Sequence, residues 1–178
     1  TAQAISLTGV IAETLTFCAG TSITGTNCGT VSGSTVDFGS FSASAASTGT
    51  SVMAASTNGD GGYSITVNGA TLTSGGDTIT ALASQTASSP GSEQFGLNLV
   101  SNSSPSVGSN VSGSGSGTAT ANYGTTNQFR FVTGDSVGSA SSSTDANTFT
   151  ASYLVNIGGA TEPGTYTATM TYICTATF

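Results

Sequence analysis

The stretch "TYTATMTYICTATF", residues 165–178, repeats with a period of two residues. Thr occupies nearly every odd position, whereas the even positions carry apolar or aromatic side chains. These are Tyr166, Ala168, Met170, Tyr172, Cys174, Ala176 and Phe178. Successive side chains of a β-strand point to opposite faces, so this pattern predicts an antiparallel strand with one face on a core and a hydroxyl face in solvent.

Shorter segments of the same kind recur between turn-forming clusters. They include "YSITV" (63–67), "SEQFGLNLV" (92–100), "NQFRFV" (127–132) and "ANTFTASYLVNI" (146–157). Gly, Ser and Thr interrupt every candidate helix, and no segment keeps a helical period over three turns. About ten strands in 178 residues predict an all-β fold, an antiparallel β-sandwich of the Ig-like or jelly-roll type, with a single body.

The charge composition excludes several classes of function. Only 5% of the residues are charged, with no Lys, no His and one Arg, Arg130. Binding to a nucleic acid needs several cations, so no nucleic-acid partner is expected. Histidine-based catalysis, a Ser–Lys dyad and a P-loop all lack their essential residue. The eight carboxylates form no recognisable catalytic pattern, and the chain is predicted to be no enzyme and to need no cofactor or metal.

The chain is expected to be extracellular. It begins at Thr1 rather than at Met, which suggests a mature form left by signal-peptide cleavage. No apolar run approaches the length of a membrane span. The formal net charge of −7 favours solubility and argues against binding to anionic membranes.

Three cysteines leave one unpaired. Cys18 and Cys28 flank a polar, Gly-containing loop, so a local disulfide between them is geometrically easy. Cys174 shares the apolar face of the last strand and is expected to act as a small core side chain. A long-range bridge between Cys18 and Cys174 is the main alternative.

Three further features concern turns, loops and the surface. The segment "NGDGG" (58–62) is interpreted as a tight turn rather than a Ca²⁺ loop, because it lacks further acidic ligands. Residues 101–117 are interpreted as an exposed loop, in which the sequons at Asn102 and Asn110 are possible glycosylation positions. Arg130 lies between two inward phenylalanines and is expected to point outward, where it could pair with a carboxylate across an interface.

The first residues raise a separate question, because they alternate before the body begins. Ile5, Leu7, Gly9 and Ile11 share one face of a possible strand. We interpret residues 1–13 as a donor-strand segment and 14–178 as the body of the subunit. Such a segment can add a strand to the sheet of a neighbouring copy, and a head-to-tail contact of this kind builds a fibre.

The sequence therefore favours a structural subunit of an extracellular filament, with identical subunits as partners and other cells or surfaces as further contacts. The alternative is a monomeric secreted adhesin or surface-layer domain that binds glycans.

The segments "SEQFGLNLV", "NQFRFV", "GTYTATMTYICTATF" and the N-terminal "LTFC" resemble uncharacterised secreted all-β surface proteins of uncultivated bacteria. In architecture, the leading strand is similar to that of donor-strand-exchange pilins of the chaperone–usher type. It is also similar to TasA-like biofilm fibre subunits and their archaeal bundling-pilus relatives, and spore-coat-U-like domains share the general look. These resemblances imply self-assembly at the cell surface.

Overall fold

The computed structural model describes residues 3–177, and these residues form β-strands joined by turns. The strands are β1 (Leu15–Gly20), β2 (Ser22–Thr24), β3 (Asn27–Ser32), β4 (Ser47–Thr57), β5 (Tyr63–Gly69), β6 (Thr73–Ser74), β7 (Asp77–Thr78), β8 (Gln94–Asn98), β9 (Asn102–Ser103), β10 (Ser106–Val107), β11 (Ser112–Gly113), β12 (Thr118–Ala119), β13 (Ser136–Ala140), β14 (Thr144–Asn156) and β15 (Met170–Ala176). Nowhere in this described range is there a helix long and apolar enough to cross a membrane.

Two antiparallel sheets make up most of the body. In the larger sheet β1 pairs with β4 and β4 with β14, whose other side pairs with both β8 and β11. The smaller sheet has the order β12–β13–β5–β15. The predicted all-β, antiparallel fold is confirmed. Residues 3–177 contain fifteen strands, and several of them are two-residue ladders too short to show a period in the sequence.

One hydrophobic core unites the two sheets. The inward side chains of β5 are Tyr63, Ile65 and Val67, and each is at most 2% exposed. They meet Met53 of β4 and Phe149 of β14, which are fully buried. The ring of Phe149 packs edge-on against Tyr63 at 6.5 Å between centroids. The period-two patterns of these strands therefore face the core from both sides, as the sequence predicts.

The start of β1 and the end of β15 both lie at the turn between β4 and β5. Asn58 donates its backbone N–H to the carbonyl oxygen of Thr14, and Thr177 donates to the carbonyl oxygen of Gly62. We call this the entry end of the sandwich, because β1 begins here and β15 finishes here. The two strands therefore run in opposite directions, and their other termini lie at the opposite, far end.

The predicted disulfide between Cys18 and Cys28 is confirmed. It ties the edge strand β1 to β3, which forms a two-stranded hairpin with β2. The thiol of Cys174 is free and half-buried on the inward face of β15. The alternative bridge between Cys18 and Cys174 is therefore wrong.

Residues 101–117 are mostly exposed, as the sequence predicts, but they contain the two-residue strands β9, β10 and β11 and the buried Asn102. Asn102 is 6% exposed, and its side-chain N–H groups donate to Asn98 Oδ1 and to the carbonyl oxygens of Val100 and Val107. A glycan on that nitrogen would break this buried network in the folded chain, and glycosylation of Asn102 stays an untested prediction. Asn110 is exposed, and its glycosylation stays a prediction.

Arg130 pairs within its own subunit rather than across an interface. Its Nε donates to Asp135 Oδ2 at 2.9 Å, and Tyr123 donates its hydroxyl to the same oxygen at 2.9 Å. Burial and the hydrogen bond to Asp135 raise the pKa of Tyr123 to about 12. Arg130, Asp135 and Tyr123 thus form a cluster within one chain, which holds the loop before β13. The expected partner of Arg130 in another molecule is not needed.

Reducing the Cys18–Cys28 disulfide is expected to lower the free energy of unfolding by about 2–3 kcal/mol, because a closed loop of this length restricts the unfolded chain. Urea unfolding with and without a reductant measures the effect. The Cys174→Ser variant is the control, since it keeps the disulfide and must remain equally sensitive to reductant. Equal stability in both redox states would contradict the prediction.

Candidate functional site

The described N-terminal segment leaves the body without forming a strand. Residues 3–14 are exposed throughout and lie before β1. Its large apolar side chains are almost fully in solvent: Ile5 is 84% exposed, Leu7 91%, Val10 97% and Ile11 89%. A Cβ built at Gly9 would meet no atom within 4 Å. Soluble proteins rarely leave such an apolar stretch uncovered unless it marks an interaction site.

Asn58 fixes the point at which this segment departs. Its Oδ1 accepts the backbone N–H of Thr14 at 2.6 Å, and its Nδ2 donates to the carbonyl oxygen of Ala12 at 2.8 Å. Thr57 adds a bond from its Oγ1 to the Thr14 carbonyl at 2.8 Å. These hydrogen bonds hold Ala12 and Thr14 at the entry end, whereas the apolar residues before Ala12 are exposed to solvent.

Strand β15 lies at the edge of the smaller sheet, and its inward face is incompletely covered. Met170, Tyr172, Cys174 and Ala176 face the core but are only half-buried, in contrast to the inward residues of the neighbouring β5. Within residues 3–177 no strand pairs with the other side of β15. An unpaired strand edge presents backbone N–H and C=O groups that can pair with another chain.

A cavity of about 500 Å³ opens beside this edge at the far end of the sandwich. Its walls come from three segments: β1, the stretch between β3 and β4, and residues 166–172. The apolar contributors include Ala19, Val36, Phe38, Ala168, Met170 and Tyr172, and Leu72 and Phe95 lie deeper in the same lining. Because protein interiors rarely contain voids much larger than a water molecule, an opening of this size is a recess rather than a packing defect. Its lining carries no charged side chain.

A chain of three hydroxyl groups crosses the floor of this cavity. The Tyr153 hydroxyl lies 2.9 Å from Ser51 Oγ and 2.7 Å from the Tyr172 hydroxyl, which joins the two sheets. Burial raises the pKa of Tyr172 well above its usual value, so both phenols stay neutral at physiological pH. The floor is thus polar, uncharged and internally hydrogen-bonded. The walls supply the apolar surface of the cavity.

Two groups among the residues singled out in the sequence lie apart from each other. Ile5, Leu7, Gly9 and Ile11 lie together on the exposed segment, while Cys174 lies on the edge strand. The predicted segment 1–13 is described from residue 3 onward, and residues 1 and 2 lie outside the described range. Sequence reasoning missed Asn58 as the clamp of the segment; its place in "NGDGG" indicates a turn and gives no sign of the contact to Ala12.

Replacing Asn58 with Ala is expected to release residues 12–14, because two side-chain hydrogen bonds are lost at once. Amide hydrogen exchange at Thr14 should accelerate about fivefold, for a loss of roughly 1 kcal/mol of protection. Asn58→Asp is the matched variant, since it keeps an acceptor for Thr14 and loses only the donor to Ala12. Unchanged exchange at Thr14 in the Ala variant would show that the clamp does not hold the segment.

Burial raises the pKa of the Cys174 thiol from 9.0 to about 11. Since the thiolate is the reactive form, alkylation of the folded chain should rise with pH toward an inflection near 11. Unfolding in urea should return the inflection to near 9, because burial is the cause of the shift. Mass spectrometry of iodoacetamide-treated protein measures both profiles, and identical profiles would contradict the half-buried position.

Comparison of the chain with protein-family models, curated proteins and solved structures finds no match.

Proposed function

We propose that this chain is a structural subunit of an extracellular filament, in which the N-terminal segment of one subunit adds as a strand to the body of the next. The observation that carries the proposal is the exposure of Ile5, Leu7 and Ile11 on a segment that makes no strand with its own body. The segment has the alternating pattern of a half-buried strand and, in the isolated chain, no core to contact.

Burial energetics support an intermolecular partner. Each large aliphatic side chain taken from water contributes roughly 1.5–3 kcal/mol, so Ile5, Leu7 and Ile11 together provide a substantial driving force. Main-chain hydrogen bonds to a sheet edge add to this and fix the register. Since the segment and its acceptor lie on different parts of the chain, the contact is head-to-tail, and it builds a filament when the rotation between copies does not close a ring.

The Cys18–Cys28 disulfide supports the extracellular location. Disulfides persist in oxidising compartments and are rare in the cytosol, where thiols are kept reduced. The scarcity of charge and the Thr-rich outer face of β15 suit a subunit that packs side by side with copies of itself. We propose identical subunits as the main partners.

Deleting residues 1–11 is expected to leave a folded monomer that forms no filaments. The body should keep its stability within about 0.5 kcal/mol, because the removed side chains are exposed and Ala12, which contacts Asn58, is retained. Negative-stain electron microscopy and sedimentation compare it with the full chain. Filaments from the truncated protein would overturn the proposal.

A point-variant pair tests the same idea without changing the length. Leu7→Ser should weaken assembly strongly, whereas Thr8→Ser, on the other face of the segment, should have little effect. A full chain that stays monomeric at all concentrations and binds glycans on an array would instead support the adhesin alternative.

A further inference from the structure

We infer that the acceptor for the N-terminal segment is the free edge of β15, together with the cavity at the far end of the sandwich, and that the segment of a second copy binds there antiparallel to β15. This inference rests on the proposed self-assembly and assigns its second surface.

The first argument is the incomplete burial of β15. The inward side chains of β5 are at most 2% exposed, whereas those of β15 are only half-buried in the same sheet. Ala168, just before β15, lines the cavity and is exposed. A strand placed beside β15 covers this row and supplies pairing partners to its open edge.

The second argument is a match in length and chemistry. Residues 3–11 extend over about 30 Å, close to the roughly 35 Å spanned by residues 166–176. Neither the segment nor the cavity lining carries a charged side chain. In a chain with a formal net charge of −7, copies repel one another, so contact is favoured where both surfaces are uncharged.

The third argument gives the direction. The segment leaves at the entry end, where β1 begins, and the cavity lies at the far end. Stacking copies along the strand direction brings the entry end of one copy to the far end of the next. The donor then enters with Ile11 nearest the cavity and Ile5 further along β15. It runs opposite to β15, and the smaller sheet stays fully antiparallel.

The period of two fixes which side chains face inward. With Ile5, Leu7 and Ile11 toward the core, Ser6, Thr8 and Val10 face outward. Gly9 is then the only small residue in the inward row, and it lets the donor backbone pass close to a bulky side chain of the acceptor.

The thiol of Cys174 reports directly on this contact. Both other cysteines are in the disulfide, so a cysteine introduced in the segment has one free thiol to meet. Single cysteines at Ile5, Leu7 and Gly9 are compared with controls at Ser6 and Thr8, under mild oxidation and in mixtures of two differently tagged chains. Cross-links between chains are expected to be strongest at Ile5, which lies opposite Cys174 when Ile11 lies opposite Ala168, weaker at Leu7, and absent at Gly9 and at the even positions.

A second pair of variants tests the direction in a Cys174→Ser background. With Ala168→Cys in the acceptor, a donor carrying Ile11→Cys should cross-link and one carrying Ile5→Cys should not. The reverse result would overturn the antiparallel arrangement. Cross-links confined to a single chain would show that the segment folds back on its own body.

Charge placed in the acceptor provides a test that needs no cysteine. Met170→Glu faces the cavity and should weaken assembly by more than about tenfold, whereas Thr171→Glu lies on the outer face of the same strand and should not. Circular dichroism confirms folding, and Ala168→Asp, at an exposed position, serves if Met170→Glu does not fold.

A peptide of residues 3–13 added to the chain lacking residues 1–11 separates this inference from the proposed function. It should slow alkylation of Cys174 at least about fivefold, whereas a peptide with Ser at positions 5, 7 and 11 should not. Filaments of the full chain in which Cys174 stays as reactive as in the monomer would overturn the acceptor assignment alone. A full chain that never self-associates would overturn the proposed function.

Discussion

The edge position of β15 is the constraint on which the rest of the structure depends. Its pairing with β5 places Met170, Tyr172 and Cys174 over the core, but no described strand covers their other side. A sheet edge that is both unpaired and apolar is unstable against association, and monomeric proteins protect such edges with charge, proline or a covering loop. Only 5% of the residues of this chain are charged, and none of them lies in β15, so no charge protects this edge from pairing with another strand.

The exposed segment and the edge of β15 both present surface that other parts of the described chain leave uncovered. Residues 3–11 carry apolar side chains that are exposed to solvent. Strand β15 packs on the core but, among the described strands, pairs only with β5. Asn58 holds Ala12 and Thr14 at the entry end of the subunit, while the cavity lies at the far end. We propose that the segment is exchanged between copies. The Cys18–Cys28 disulfide stiffens β1 near the same edge.

Much of this fold could be predicted from the sequence, because burial in an antiparallel sheet imposes a period of two. The patterns around Ile65, Phe149 and Tyr172 identified core strands and their inward faces correctly. The burial of Asn102 was not predicted, because the Ser- and Gly-rich composition around it resembles a loop. The Asn102 side chain is buried there by hydrogen bonds with the side chain of Asn98, four residues earlier, and with the backbone N–H of Asn127, 25 residues later.

By itself, the sequence determined the strand class, the local disulfide and the apolar face of the first residues, because each depends on neighbours a few positions apart. Only the tertiary structure decided that Arg130 pairs with Asp135, that Asn58 clamps Ala12, and that β1 and β15 border an open cavity. These features depend on which strands become neighbours. Strand order is set by packing between segments far apart in the sequence, and a period of two within one segment does not indicate which strand lies next to it.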